Sequence, residues 1–472
     1  MPRSGRTIAR RSGIGVAGKL ATLGLQTLHF ALLARWLDAS TFGALMAALA
    51  LLLILGGLAE LGLTSGAVLA LAEGREERTV VAATLRGSFA LVGLALAVAA
   101  VATAVLLRGD ARLAVVVLVP WFVLSNVDVA FLAVHQHHLR SGRIAAADLA
   151  SRTVLLVAVL PLREVGDGSA ARLLAWVGLG FLASELASLA IVVRGVPWRG
   201  GVARGEPWAM ARRALPIGMT NASSMVHARS DQVILDAMGR RSGLAAYAVA
   251  ARINEAVLSL ANAAGAVSFP VIAQAAGADR DLAVRRFGRI ACVVGALAAV
   301  GVFALAPQLL LLLGGPRFES SSDLARILTL ALAVSVANLP FAQSVLARGR
   351  AARLLRLSIA FAVANVVLTV ALVVVLDESG AALATATTEV VGFLAVAWVA
   401  HALAPRSVPW AVVVATPVLT AGATWGALVL WRAGLEPVGV ALAAAGTASL
   451  VALAAIDPGG HDRMHLRRTG RG

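Results

Sequence analysis

The chain has 472 residues, 59% of them apolar and only 14% charged, with a mean hydropathy of +0.86; soluble domains average about 25% charged, so an ordinary soluble domain is excluded. The net charge of +16 does not indicate nucleic acid, because the basic residues cluster in short links between apolar runs and no basic module stands apart from them. A single cysteine, Cys292, lies in an apolar run, which excludes an internal disulfide and a cysteine metal cluster.

About 20 apolar residues are needed per membrane helix. That criterion predicts spans at 14–34, 42–69, 82–106, 113–134, 144–162, 172–193, 214–238 and 243–269, and then at 288–312, 323–346, 353–376, 379–402, 409–431 and 435–455. The fold class is therefore an all-α polytopic membrane protein of about fourteen transmembrane helices. The first span follows Arg3, Arg6, Arg10 and Arg11 and is too long for a signal h-region, so it is expected to stay uncleaved. An even count places both termini on one side of the cytoplasmic membrane. The arginine-rich links Arg194 to Arg213, Arg280 to Arg289 and Arg348 to Arg356 make that side cytoplasmic. The opposite link with Asp377 and Glu378 carries no base. Residues 194–213, with Pro197, Gly200, Gly201, Gly205 and Pro207, form a breaker-rich linker that separates six spans from eight.

Several spans carry polar residues that lipid does not tolerate without a purpose. In the first span Lys19, Thr22, Gln26 and His29 recur at helical spacing and fall on one face. They line either a cavity or a packing face with Lys19 reaching the headgroups. In the seventh span Asn221, Ser224, His227 and Asp231 form one stripe, and Arg229, Gln232 and Asp236 form another about 120° away. Arg229 and Asp231 therefore do not share a face. By depth, Asp231 is expected to reach Arg252 on the eighth span, which also carries Glu255; the group is either a binding site or a structural lock. Asp148 and Arg152 have the i, i+4 spacing of a self-cancelling helix pair. Glu185 and Glu389 lie near the middle of the sixth and twelfth spans and are expected as neutral buried acids or a proton relay. No Walker motif and no dinucleotide motif is present, and the histidines at 135, 137 and 138 lack partners at metal-ligand spacing.

The turns after the first and seventh spans, Leu37 to Leu45 and Met238 to Tyr247, align with one insertion, which suggests a repeat. Ala214-Leu215-Pro216 opens a span, Ser230-Asp231-Gln232 precedes Leu235, and Ala246-Tyr247-Ala248-Val249-Ala250-Ala251-Arg252-Ile253-Asn254-Glu255 follows. These residues resemble the seventh and eighth helices of the polysaccharide flippases, O-antigen type, of the multidrug/oligosaccharidyl-lipid/polysaccharide exporter superfamily. Family members often carry Gly-Pro-Glu in the two turns, where this chain has Asp38-Ala39-Ser40 and Gly239-Arg240-Arg241. The resemblance implies two six-helix lobes around a central cavity plus two C-terminal helices. On this chain they map to a first lobe at 1–193, the linker at 194–213, a second lobe at 214–402, and the last two helices with a basic tail at 403–472.

The expected function is export of a polyprenyl-pyrophosphate-linked oligosaccharide by alternating access, driven by an ion gradient or by membrane potential. Lys19, Gln26, Asn221, Ser224, Arg229, Gln232 and Arg252 are the expected substrate contacts, and Asp231, Glu255 and Glu389 are candidates to carry a coupling H+ or Na+. No enzymatic activity and no cofactor are expected; a glycan polymerase is a candidate partner beside the lipid-linked glycan and membrane lipids. The alternatives are a cation-coupled multidrug exporter of the same fold and a non-transporting membrane scaffold for glycan assembly.

Overall fold

The computed structural model describes residues 5–164, 168–198, 200–201 and 205–455. Among them the chain is helical with no strand: α1 (Gly5–Trp36), α2 (Ala39–Glu60), α3 (Leu63–Ala72), α4 (Glu77–Leu106), α5 (Asp110–Val127), α6 (Val129–His137), α7 (Ser141–Val159) and α8 (Ala170–Val192) come first. Then follow α9 (Glu206–Ala237), α10 (Arg241–Gln274), α11 (Gly277–Gly314), α12 (Ser322–Ala347), α13 (Ala351–Leu403), α14 (Trp410–Arg432) and α15 (Glu436–Ala455). Ten helical segments are long and apolar enough to cross a membrane, as a bilayer requires of a backbone whose polar groups must bond internally. One of them, α13, reverses at Asp377, where φ is 51°. With α1, α9 and α15 these give the fourteen expected passes of a multi-pass membrane protein.

The second pass is broken, which hydropathy did not foresee. The second divides into α2 and α3 at Leu61 and Gly62, with φ of 33° and 83°. A Cβ on Gly218 of α9 would collide with the backbone of these same two residues, so the break lets the α2–α3 backbone approach α9 with no side chain between them. The fourth pass runs on from α5 into α6, because Asp128 has helical φ and ψ and its N–H and carbonyl bond Leu124 and Leu132 at 3.0 Å each. The seventh begins at Glu206, eight residues before the expected 214, because Gly205 supplies a left-handed N-cap and Pro207 a preset first turn.

The described chain forms two compact units. One comprises Met1–Leu260, Ala306–Ala325 and Ala351–Thr388; the other comprises Ala261–Leu305, Arg326–Arg350 and Glu389–Gly472. In the first unit, α2 packs between α5 and α9, and α7 packs between α1 and α8. One end of this unit is laced by arginines. Arg241 bonds the fully buried Asp236 at 3.1 Å and the carbonyl of Arg108 at 2.5 Å, while the Arg108 N–H donates to the other Asp236 oxygen at 3.3 Å. Arg317 donates to the carbonyls of Ala34 and Leu37, Arg35 donates to those of Leu311 and Leu312, and Arg240 pairs with Asp377 at 2.7 Å. At the same end Asp38 caps α2 by accepting from the N–H groups of Ser40 and Thr41. Burial pushes the Asp38 carboxyl up, but the Thr41 hydroxyl and these backbone donors outweigh it and hold it below the ordinary carboxylate range.

In the second unit, α14 packs on α15. Ser268 donates to Gln343 at 2.9 Å, and the Gln343 amide donates to the Gly265 carbonyl at 2.9 Å. Arg348 pairs with Asp281 at 2.5 Å. These polar contacts replace the water that the membrane denies.

Candidate functional site

The first unit holds a cavity with about 200 Å³ of water-accessible space, enough for a headgroup-sized moiety. Its polar wall comes from α1 (Gln26, His29), α7 (Arg152), α9 (Arg229, Gln232) and α10 (Arg252, Glu255). Spacings of three within α1, α9 and α10 aim both members of each pair at the same space. Phe30, Trp121 and Phe181 close the aromatic side. Phe181 stacks edge-on against Trp121 at 5.2 Å and against His29 at 5.9 Å.

Glu255 is shared by two cations. One carboxylate oxygen accepts from Arg229 at 2.6 Å and the other from Arg252 at 3.0 Å. The Arg252 guanidinium also lies over the Phe30 ring at 5.4 Å, yet its Nε and one terminal nitrogen are buried without a hydrogen-bond partner. Arg152 has no ion pair or hydrogen bond among the described residues, and its Nε is likewise buried and unpartnered. Three guanidinium groups thus face one carboxylate, and donors are left over. An anion with several acceptor oxygens satisfies such a site.

Asp231 lies elsewhere. It is 3% exposed and accepts from the Tyr247 hydroxyl and, at 2.8 Å, from the Gln232 N–H. The Tyr247 hydroxyl is also 3.3 Å from the Thr385 hydroxyl. Nearby, Asn365 donates to the His227 carbonyl at 3.1 Å and accepts from Thr388 at 3.0 Å. The expected contact between Asp231 and Arg252 is not formed, and helix rise explains why. Asp231 is six residues before Ala237 and Tyr247 six after Arg241, so at about 1.5 Å per residue both lie about 9 Å from the turn. Arg252 lies more than a turn deeper, level with the cavity.

The structure brings Gln26, Arg229, Gln232, Arg252 and Glu255 together in one cavity and sets Asp231 behind it. Asn221 and Ser224 are exposed and outside that cavity, the Ser224 hydroxyl donating to the Thr220 carbonyl at 2.9 Å. Glu389 belongs to the second unit and accepts from Ser335 at 2.8 Å. Lys19 is on α1, but its side chain lies outside the described residues. The self-cancelling pair expected of Asp148 and Arg152 is absent: Asp148 is exposed while Arg152 turns into the cavity. Arg152, Tyr247 and Asn365 were missed as partners. The one available signal was Tyr247, the only tyrosine of the chain, set inside an otherwise apolar stretch.

A fourteen-pass helical membrane protein with a cationic, partly aromatic cavity has the architecture of a transporter. MurJ, a lipid II flippase solved in an inward closed conformation, matches 93% of this chain and 97% of its own at a TM-score of 0.72 and 11% identity. An inward-facing multidrug resistance MATE family transporter of the MOP superfamily matches at 0.65 and 15% identity, over 83% of this chain and 98% of that one. A MOP superfamily transporter from Pyrococcus furiosus, described as having a binding pocket of reverse polarity, matches at 0.58 and 15% identity, over 83% and 96%. At these identities the likeness is one of fold. No curated protein sequence matches the chain. The family model for polysaccharide biosynthesis proteins matches residues 8–276. The chain belongs to that family, in agreement with the resemblance carried by its seventh and eighth helices.

Proposed function

We propose that this protein is a flippase that carries a polyprenyl-pyrophosphate-linked oligosaccharide, or a related polysaccharide precursor, across the cytoplasmic membrane. The observation that carries this reading is the surplus of guanidinium donors in the cavity: Arg152, Arg229 and Arg252 against Glu255 alone. A site for cationic drugs needs the opposite sign. The polarity of a pocket is also the ground on which a different function is suggested for the Pyrococcus furiosus transporter of this fold, and the MurJ neighbour is a lipid II flippase.

In this proposal the pyrophosphate enters the cavity, Gln26 and Gln232 hydrogen-bond the adjoining sugar, and the prenyl tail stays in lipid. Asn221 and Ser224 contact the glycan beyond the cavity. The lobes 1–193 and 214–402 exchange access to the two sides, with both termini cytoplasmic. Each elementary charge moved across 100 mV is worth about 2.3 kcal/mol, so membrane potential, or H+ or Na+ carried by Asp231, Glu255 or Glu389, drives net export. The chain itself performs no covalent chemistry.

The test is reconstitution of the full chain in liposomes with a fluorescent polyprenyl-diphosphate glycan, scored by its accessibility to an external quencher. Arg229→Ala and Arg252→Ala are expected to slow translocation about tenfold or more each, since a hydrogen bond to a charged group contributes about 1.5–3 kcal/mol. Undiminished flipping by well-folded variants sinks the proposal.

A further inference from the structure

At the end of the first unit that the proposed function places outside, α1 and α11 exchange arginines. An α-helix leaves its last carbonyls without intrahelical partners and gathers partial negative charge there. α1 ends at Trp36 and α11 at Gly314. Arg35, in the last turn of α1, donates to the Leu311 and Leu312 carbonyls of α11 at 3.0 and 2.7 Å. Arg317, just past α11, donates back to the carbonyls of Ala34 and Leu37. Each guanidinium caps the other helix, so drawing the two ends apart strips partners from carbonyls and cations on both sides. All of these residues belong to the first unit. A second clasp of the same kind joins the turns after α4 and α9, where Arg241 donates to the Arg108 carbonyl at 2.5 Å. The turns at 37–45 and 238–247, which align in sequence, hold one clasp each.

A file of aromatic rings runs from the first clasp to the cavity. The Arg317 guanidinium lies over the Phe318 ring at 4.8 Å. Phe318 meets Phe42 of α2 at 6.4 Å between ring centres, and Phe42 meets Phe30 of α1 edge-on at 5.4 Å. Phe30 is part of the cavity wall and carries the Arg252 guanidinium over its ring at 5.4 Å. Phe42 and Phe318 are 0% and 3% exposed, and side chains packed that closely change between discrete arrangements instead of deforming gradually. A cation is attracted to an aromatic face. An anion that draws Arg252 toward itself therefore removes one of the contacts that keep Phe30, and the rings behind it, in place.

We propose that the exchange of Arg35 and Arg317 is the outer gate of the cavity, and that an anion held by Arg252 loosens it through Phe30, Phe42 and Phe318. With the cavity empty, Arg252 rests on Phe30, the rings keep their packing and the clasp stays shut. With a phosphate in the cavity, Arg252 turns to it, Phe30 tilts, Phe42 and Phe318 repack, and Arg317 is drawn off the carbonyls of Ala34 and Leu37. Only hydrogen bonds and packing contacts change. A ligand shifts a two-state equilibrium by as much as its contacts differ between the states, and Arg252 supplies that difference here. Opening by the substrate rests on the proposed function and adds to it the residues through which loading of the cavity reaches the gate.

The test is a distance across the clasp, read by pulsed electron resonance between nitroxide labels on Ser40→Cys and Ser320→Cys in the full chain in nanodiscs. Both positions are exposed, and the native Cys292 is buried. Farnesyl diphosphate is the probe, and calorimetry reports its binding. With otherwise native residues, one short distance is expected without the probe and an added longer population with it. Arg35→Ala and Arg317→Ala are each expected to raise the ratio of long to short about tenfold without the probe, the low end for a hydrogen bond to a charged group because both arginines are partly exposed. Phe42→Leu is expected to bind the probe with unchanged affinity and to lose most of the probe-induced long population. An unchanged distance in both arginine variants overturns the gate. Widening of Phe42→Leu by the probe to the native extent overturns the route through the rings. Probe that binds without widening the native clasp overturns the coupling and leaves the flippase reading intact. Arginine variants that widen while no probe binds overturn the flippase reading, and the coupling with it.

Discussion

Replacing Glu255 with Gln separates stability from affinity in this cavity. The carboxylate accepts from Arg229 at 2.6 Å and from Arg252 at 3.0 Å, with side-chain exposures of 22%, 11% and 29% for Arg229, Arg252 and Glu255. A hydrogen bond to a charged group contributes about 1.5–3 kcal/mol when well desolvated. Partial exposure screens these two, and glutamine keeps one acceptor oxygen, so a loss of about 1.5–3 kcal/mol in total is expected. At about 2–4 °C per kcal/mol for chains of 150–250 residues, and less for a longer one, the apparent Tm in detergent should fall by a few degrees. Binding of a lipid diphosphate should move the other way. In the wild type the ligand must displace the Glu255 carboxylate from Arg229 and Arg252; in the variant one of the two is released and the other is held only by a neutral amide oxygen, and an advantage of about 1.4 kcal/mol tightens Kd about tenfold. The assay is a thermal shift alongside calorimetric titration with farnesyl diphosphate. Weaker binding with an unchanged fold refutes the reasoning, because Glu255 would then be a substrate contact and not the anion that stands in for one.

Tyr247→Phe removes the hydroxyl donor to the buried Asp231 and should cost about 1–3 kcal/mol, read as a lower Tm, with cavity binding of diphosphate unchanged. Gly218→Ala places a methyl group against the backbone of Leu61 and Gly62; forced overpacking of about 1–3 kcal/mol or more should appear as reduced yield and early unfolding. Asp38→Ala removes the α2 cap, worth about 1 kcal/mol. Because the Asp38 carboxyl is held below its ordinary value, its contribution is complete above the ordinary carboxylate range and disappears as pH falls through the lowered folded value. Unfolding midpoints of variant and wild type should therefore differ near neutrality and converge in acid.

The spans were legible because hydrocarbon imposes one requirement on every pass: apolar length. The division of α9 into two stripes was also legible, since helical period alone sends Arg229 and Asp231 to different surroundings. Partners across helices were not. Asp231 was matched to Arg252 by rough depth, and an error of five residues, about 7.5 Å of rise, exchanged Tyr247 for an arginine that belongs to the cavity. Arg152 was hidden by a local rule. Its i, i+4 relation to Asp148 describes an isolated helix, whereas packing of α7 between α1 and α8 points the guanidinium inward and leaves Asp148 exposed. The break at Leu61 and Gly62 is invisible to hydropathy because both residues pass as apolar; only the close approach of Gly218 gives it a reason.

A chain of 472 residues with one tyrosine, and that one hydrogen-bonded to Asp231, carries its own reporter. Biosynthetic incorporation of 3-fluorotyrosine labels a single site, with no cysteine chemistry and no engineered substitution. Its fluorine resonance senses the charge and occupancy of the carboxylate beside it, so cation or proton arrival at Asp231 becomes a one-line spectrum in the otherwise unaltered protein.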